Sequence, residues 1–214
     1  MFADLLPPSF RTSWAATHDC SSEIFPEELT LVARAVENRR QEFMTGRKCA
    51  RIALDQLGVP AVALLSGQLR EPLWPAGVVG SITHAGGRCA AAVGPASAYD
   101  GVGIDLEQAD ALEPEIATRV ARRDEMTALG SIASPRCARL VFSAKEAFYK
   151  CQFYLTRHWL NFFDVAVELK ENGHFSARLL VDAGPLQRGT QLHGQWQERE
   201  GFFATAICLP STRE

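Results

Sequence analysis

YDGVGIDLEQ, residues 99–108, decides how the chain is read. Val102, Ile104 and Leu106 alternate with glycines and acids, which is the period of a strand and not of a helix. On a strand, Asp105 and Glu107 point to the same face. Two neighbouring carboxylates among apolar residues repel each other, so either that face is solvated or a cation sits between them. An alternating strand with a polar outer face and a metal site are both open at this point.

The next informative stretch is FSAKEAFYK, residues 142–150, inside a segment (136–155) that reads as helix. Glu146 and Lys150 are four apart and share a helix face. Alone they would be a surface ion pair contributing a few tenths of a kcal/mol. Together with the strand they complete a set of three carboxylates, Asp105, Glu107 and Glu146. An all-oxygen set of this kind suits Mg2+, with Mn2+ as the alternative ion, because such ions keep waters and substrate phosphates in their shell. Lys145 and Lys150 beside the set suit a phosphate-bearing substrate.

Working outward, residues 26–58 read as helix with an interruption near Asn38, stopped by Gly58 and Pro60. Arg40, Arg47 and Arg51 share a face there, with Arg39 beside them, and offer further phosphate contacts. VVGSITHAGGRCAAAVGP (78–95) reads as two strands around Gly86-Gly87. His84 precedes that turn, either as a structural histidine or where backbone approaches a ligand closely. Residues 113–129 read as helix. Residues 165–182 and 190–209 alternate as strands, with turns at Asn172-Gly173 and Glu200-Gly201. Residues 1–26, with prolines at 7, 8 and 26, look irregular. The predicted fold class is α+β, in two similar halves of residues 1–99 and 100–214.

Composition narrows the partners. The 214 residues, 47% hydrophobic and 22% charged, suit an ordinary globular protein of one large or two small domains. A net charge of −3 supplies no global basic field, so no nucleic-acid partner is expected. Cysteines at 20, 49, 89, 137, 151 and 208 form no CxxC pair and no zinc spacing, which reads as reduced thiols in the cytoplasm. The opening MFADLLPPSF has neither a basic start nor a long apolar run, and AVALL (61–65) is far too short to span a bilayer. Neither a signal peptide nor a membrane role is expected. No P-loop or dinucleotide fingerprint is present, and Gly80-Ser81 is not a nucleophile elbow. Arg119, Arg122, Arg123, Arg136 and Arg139 gather between the two motifs, opposed by Asp124 and Glu125. They form either a solvated face or a patch that steers an acidic partner.

The two motifs together resemble the signature of the 4′-phosphopantetheinyl transferases, G-[VI]-D-x-E and then, about forty residues later, [FW]-S-x-K-E-[AS]-x-x-K. Here the signature stands as Gly103-Ile104-Asp105-Leu106-Glu107 and Phe142 to Lys150. RRQEFMTGRKCARIALDQLG (39–58), REPLWPAGVVGSITH (70–84) and LTRHWLNF (155–162) are similar to the enterobactin-synthase-component-like branch of the larger, Sfp-type members, especially the mycobacterial ones. The likeness covers most of residues 27–210.

The resemblance implies transfer of the 4′-phosphopantetheine arm of coenzyme A to a carrier-protein serine, releasing adenosine 3′,5′-bisphosphate. It implies a monomeric pseudo-dimer of two α+β halves, with coenzyme A and Mg2+ in the cleft between them. The implied partners are apo acyl or peptidyl carrier proteins of fatty-acid, polyketide or nonribosomal peptide synthases. By the same resemblance Asp105, Glu107 and Glu146 match metal ligands, and Glu146 also matches a base. Lys150 matches a lysine near the leaving group and Lys145 another phosphate contact. Arg39, Arg47 and His84 match phosphate-holding positions; Glu71, Pro72 and Thr83 match the adenine side, partly through backbone. Tyr149 and Trp159 match positions along the pantetheine arm. Two departures stand out. Ser66 replaces a phosphate-side lysine, and Leu106 offers no side-chain ligand. Helix periodicity makes Arg40 the companion of Arg47, whereas the family pattern favours Arg39. Two other functions stand beside this one: an Mg2+-dependent hydrolase of coenzyme A or nucleotides, which would use the same carboxylates with water as nucleophile, and a non-catalytic coenzyme A-binding module, which needs neither Glu146 nor the metal.

Overall fold

Three hairpin turns organise the strands of the computed structural model, which describes residues 1–17, 24–127, 129–130 and 132–211. Gly86 and Gly87 both have positive φ (53° and 74°), the geometry of a tight turn that matches strand twist. They join β2 (Val78–Ala85) to β3 (Arg88–Pro95). With β1 (Arg11–Ala16) these strands form an antiparallel sheet in the order β1-β3-β2. The second sheet contains β4 (Tyr99–Gln108), β5 (Val165–Leu169), β6 (His174–Leu179), β7 (Gln191–Arg199) and β8 (Phe202–Pro210). It is antiparallel, in the order β4-β8-β7-β6-β5.

Each sheet carries a long helix. α1 (Pro26–Leu31) leads into α2 (Glu37–Gln56), whose Cys49, Ala50, Ala53 and Leu54 pack on Cys89, Ala91 and Val93 of β3. The expected interruption of this helix falls at residues 32–36. α3 (Pro114–Val120) is short, and α4 (Ser134–Thr156) lies across the second sheet. Ala144, Ala147, Phe148 and Cys151 recur at helical spacing on its buried face.

The sheets meet edge to edge at β2 and β4, through side chains and not through a ladder. The Ile104 amide donates to Ser81 Oγ and the Leu106 amide to Thr83 Oγ1, each at 3.1 Å. Both hydroxyl residues are buried, so they satisfy amides that an open edge would leave exposed.

Two expectations are corrected. The segment before α1 is not wholly irregular. It supplies β1, and Phe2, Leu5, Leu6 and Phe10 are buried against Val102, Ile104, Leu106 and Ala206. Its prolines and its weak alternation hide this, and Trp14 on β1 stays exposed. The helix expected over 113–129 ends at Val120, within the described residues. Past it, Glu125 turns inward to accept from the amides of Arg122 (2.7 Å) and Val167 (2.8 Å), a turn incompatible with a continuing helix. Cys49, Cys89, Cys137 and Cys151 are buried, and Cys20 lies outside the described residues. Among the described residues no helix is long and apolar enough to cross a membrane.

Candidate active site

Alternation along β4 sends Val102, Ile104 and Leu106 to the N-terminal segment, and Gly101, Gly103 and Asp105 to α4. A Cβ on Gly101 would lie 2.1 Å from the Cys151 carbonyl oxygen, and one on Gly103 would lie 1.7 Å from that of Ala147. The two glycines therefore let helix backbone rest directly on strand backbone. That contact brings Lys150 to Asp105.

Lys150 Nζ donates to Asp105 Oδ1 at 2.6 Å and to the Ile104 carbonyl at 3.1 Å. Thr83 Oγ1 donates to the same Oδ1 at 3.2 Å. Asp105 Oδ2 is buried with no hydrogen-bond partner among the described residues. Burial raises the pKa of Glu146; Lys150 opposes the rise and Asp105 adds to it. Burial, and then Asp105, push Glu107 up to about 7, although Arg139 holds it at 2.9 Å and pulls it down. Arg139 also reaches Asp110 at 2.9 Å.

Among the described residues no three acidic, histidine or cysteine side chains converge as a ready ligand shell. The donor set still fits a hard divalent cation. It offers one orphaned buried carboxylate oxygen and two carboxylates whose charged forms are disfavoured chiefly by burial.

On one side of this centre lies a cavity of about 630 Å3, lined by Glu71, Pro72, Gly80 and Ser81 and, from α4 and beyond, by Glu146, Tyr149, Lys150, Tyr154, Trp159 and Phe162. Tyr149 donates to the Asn161 carbonyl (2.8 Å) and stacks near Phe162. Burial raises its pKa, so it stays neutral. Trp159 is 72% exposed and leans on Phe153.

The basic residues are apportioned unevenly. Arg39 donates to His84 Nε2 at 2.6 Å, and His84 Nδ1 faces Glu42 at 3.5 Å. Burial lowers the His84 pKa, against Glu42, which leaves the ring able to accept from Arg39. Arg47 is buried; its Nε donates to the Leu64 carbonyl (2.8 Å) and its Nη2 lies 3.5 Å from Ser66 Oγ. Burial lowers its pKa to about 10, which still leaves a cation at neutral pH. Arg40 Nε is buried without a hydrogen-bond partner among the described residues. Arg51 pairs with buried Glu28 at 2.8 Å and is not available as a phosphate contact.

Three sequence expectations meet a different geometry. Lys145 is fully buried, and its Nζ donates to Glu125 Oε2 (2.8 Å) and to the carbonyls of Val120 (3.0 Å) and Phe162 (2.8 Å). An ammonium has three protons, so none is left for a phosphate. Thr83 serves Asp105 and the Leu106 amide, away from the cavity wall. Of the five arginines between the motifs, Arg122, Arg136 and Arg139 are engaged by Glu125, Glu198 and Glu107, while Arg119 and Arg123 are exposed. Sequence reasoning missed Phe153 and Tyr154 in the cavity and Arg139 behind Glu107. The signal for the first two was helical spacing, Phe153 four residues beyond Tyr149 and Tyr154 four beyond Lys150.

Two family models match this chain: the 4′-phosphopantetheinyl transferase N-terminal domain over residues 27–94 and the 4′-phosphopantetheinyl transferase superfamily over residues 101–208. The chain is 42% identical to the 4′-phosphopantetheinyl transferase PptT of Mycobacterium tuberculosis over 193 residues, 86% of this chain and 85% of that one. It is 40% identical to the 4′-phosphopantetheinyl transferase Svp of Streptomyces mobaraensis, covering 98% of this chain and 89% of the relative. Enterobactin synthase component D of Salmonella typhi is 32% identical over 81% of this chain and 73% of its own.

Proposed function

Because the chain belongs to the 4′-phosphopantetheinyl transferase superfamily, we propose that Asp105, Glu146 and Lys150, meeting where α4 rests on β4, carry its transfer chemistry. The reaction moves the 4′-phosphopantetheine arm of coenzyme A to a carrier-protein serine and releases adenosine 3′,5′-bisphosphate.

The observation that carries the assignment is a half-buried glutamate with a raised pKa, lining the same cavity as a lysine one helical turn away. Glu146 takes the proton of the attacking serine hydroxyl, a role worth about 10²–10⁴ in rate. The serine oxygen then bonds to the β-phosphorus, and the bond from that phosphorus to the bridging oxygen breaks. The bridging oxygen leaves with the α-phosphate, and Lys150 offsets its growing negative charge. Asp105 orients Lys150 while Thr83 orients Asp105. Mg2+, held by Asp105, Glu107 and Glu146, would supply charge neutralisation of the pyrophosphate oxygens; Mn2+ satisfies the same oxygen ligands.

Coenzyme A lies with its nucleotide end towards Arg39, Arg47, His84, Glu71 and Pro72. Its pantetheine arm runs along Tyr149 and Trp159, whose apolar surfaces suit it. Each half, 1–99 and 100–214, has one sheet under one long helix, which supports a pseudo-dimer with the ligand cleft between its halves. The β2–β4 junction is satisfied within one chain, which supports a monomer. The carriers are acyl or peptidyl, from fatty-acid, polyketide or nonribosomal peptide synthases, and the buried thiols suit the reducing cytoplasm.

The test is an intact-mass measurement of apo carrier proteins incubated with the protein, coenzyme A and Mg2+. Addition of one phosphopantetheine, abolished by EDTA, is the expected result. No addition on any acyl or peptidyl carrier, or cleavage of coenzyme A without a carrier, would overturn the reading.

A further inference from the structure

Tyr154 stands one helical turn beyond Lys150 on α4, on the same face. Its hydroxyl sits between two residues from the other half of the chain. Trp74 Nε1 donates to the Tyr154 oxygen at 2.6 Å, and the Tyr154 hydroxyl donates to the Pro72 carbonyl at 2.8 Å. Burial raises its pKa, so the hydroxyl keeps the proton it donates. At the end of α4, Arg157 takes a left-handed backbone (φ 55°) and pairs with Glu71.

The 66–74 loop is shaped for this attachment. Ser66 and Pro72 bridge across it, and Gly80 on β2 leaves room for the Trp74 indole, which a Cβ would meet at 2.5 Å. Glu71 and Pro72 line one wall of the cavity, while Glu146 and Lys150 line another. The transfer chemistry leaves these cross-chain contacts without a role.

We infer that Tyr154 is a positioning residue for coenzyme A. It clasps the nucleotide-side loop to the helix that bears Glu146 and Lys150, so the nucleotide and the reacting pyrophosphate are held at a fixed spacing. The inference rests on the proposed placement of the nucleotide end against Glu71 and Pro72. A loop ordered before binding loses less entropy when the ligand arrives, so the clasp acts on affinity more than on the chemical step. In Tyr154→Phe the ring and its packing persist, while the Pro72 carbonyl and the Trp74 indole lose their partner.

The experiment uses Tyr154→Phe, Trp74→Phe and the double variant. It measures the Kd of adenosine 3′,5′-bisphosphate by calorimetry, which needs no turnover, alongside KM for coenzyme A, kcat and thermal melting. Tyr154→Phe should weaken the bisphosphate and raise KM by about 3- to 10-fold, the equivalent of one neutral hydrogen bond, with a smaller change in kcat. The double variant should be little worse than Tyr154→Phe, because both single changes cut the same chain of bonds. An unchanged Kd overturns the inference. So does a loss of kcat and melting temperature at constant KM, which is the signature of a merely structural tyrosine. If the wild-type protein binds the bisphosphate but modifies no carrier, the transferase reading fails, and the clasp is still decided by the ratio of the two Kd values.

Discussion

Gly103→Ala is the sharpest structural perturbation of this site. The new Cβ would lie 1.7 Å from the Ala147 carbonyl oxygen and 2.8 Å from the Cys151 amide nitrogen. Both are helix backbone, so no side chain can swing aside. Reaching even a 3.0 Å contact from 1.7 Å requires about 1.3 Å of separation between β4 and α4. Overpacking of this kind costs about 1–3 kcal/mol, occasionally more. The same displacement pulls Lys150 from Asp105, which it meets at 2.6 Å, and carries Glu146 off line. A misplacement of about 1 Å at reacting groups costs about a hundredfold in rate. The variant should therefore fold, melt at a lower temperature and lose about two orders of magnitude in kcat/KM. Carrier modification followed by mass spectrometry reads the rate, and a denaturant melt with circular dichroism reads the fold. Wild-type turnover with an unchanged melt would refute the reasoning that glycine here sets the helix–strand distance.

Other outcomes follow from the same geometry. Lys145→Met strands Glu125 in the interior and should cost about 3–5 kcal/mol in a denaturant melt, while KM for coenzyme A stays near wild type; a selective rise in KM would restore Lys145 as a phosphate contact. Glu107 is raised to about 7, mainly by burial, so the folded state holds its proton more tightly than the unfolded chain. Its stabilising contribution is present below about 4.5 and is lost as pH rises through about 7. Without metal, the melting temperature of the wild type should fall over that window relative to Glu107→Gln, and Mg2+ should reverse the fall. Parallel pH curves for the two proteins would contradict this. Arg123→Glu, on the exposed surface, should raise KM for an acidic carrier, and more so at low salt, without moving KM for coenzyme A. Equal changes in both constants would remove Arg123 from docking.

The fold was legible wherever local chemistry dictates it. Gly86-Gly87, Asn172-Gly173 and Glu200-Gly201 each mark a hairpin because the turn needs positive φ: both residues adopt it in the first and third pairs, Glu200 at 54° without being glycine, and Gly173 alone in the second. The 3.6-residue spacing of α4 and the alternation of β4 were visible for the same reason. Asp105 and Lys150 could be brought together because two motifs, each weak alone, jointly pointed to one chemistry.

What stayed hidden depends on contacts distant in sequence. Lys145 and Lys150 look alike in FSAKEAFYK, yet one faces Glu125 in the interior and the other faces Asp105 beside the cavity. Nothing local separates them, since the carboxylate that captures Lys145 lies in a stretch whose pattern suggested helix. Gly101 and Gly103 belong to no nucleotide fingerprint, and their reason is the backbone of α4 above them. The Tyr154–Pro72–Trp74 chain joins residues on either side of the β2–β4 junction, and a single sequence carries no trace of it.

The most direct test of the account is Glu146→Gln, with single-turnover transfer to an apo carrier and coenzyme A affinity by calorimetry measured on the same preparation. The account predicts coenzyme A binding close to wild type and transfer slowed by about 10²–10⁴. Transfer at the wild-type rate by Glu146→Gln would contradict it.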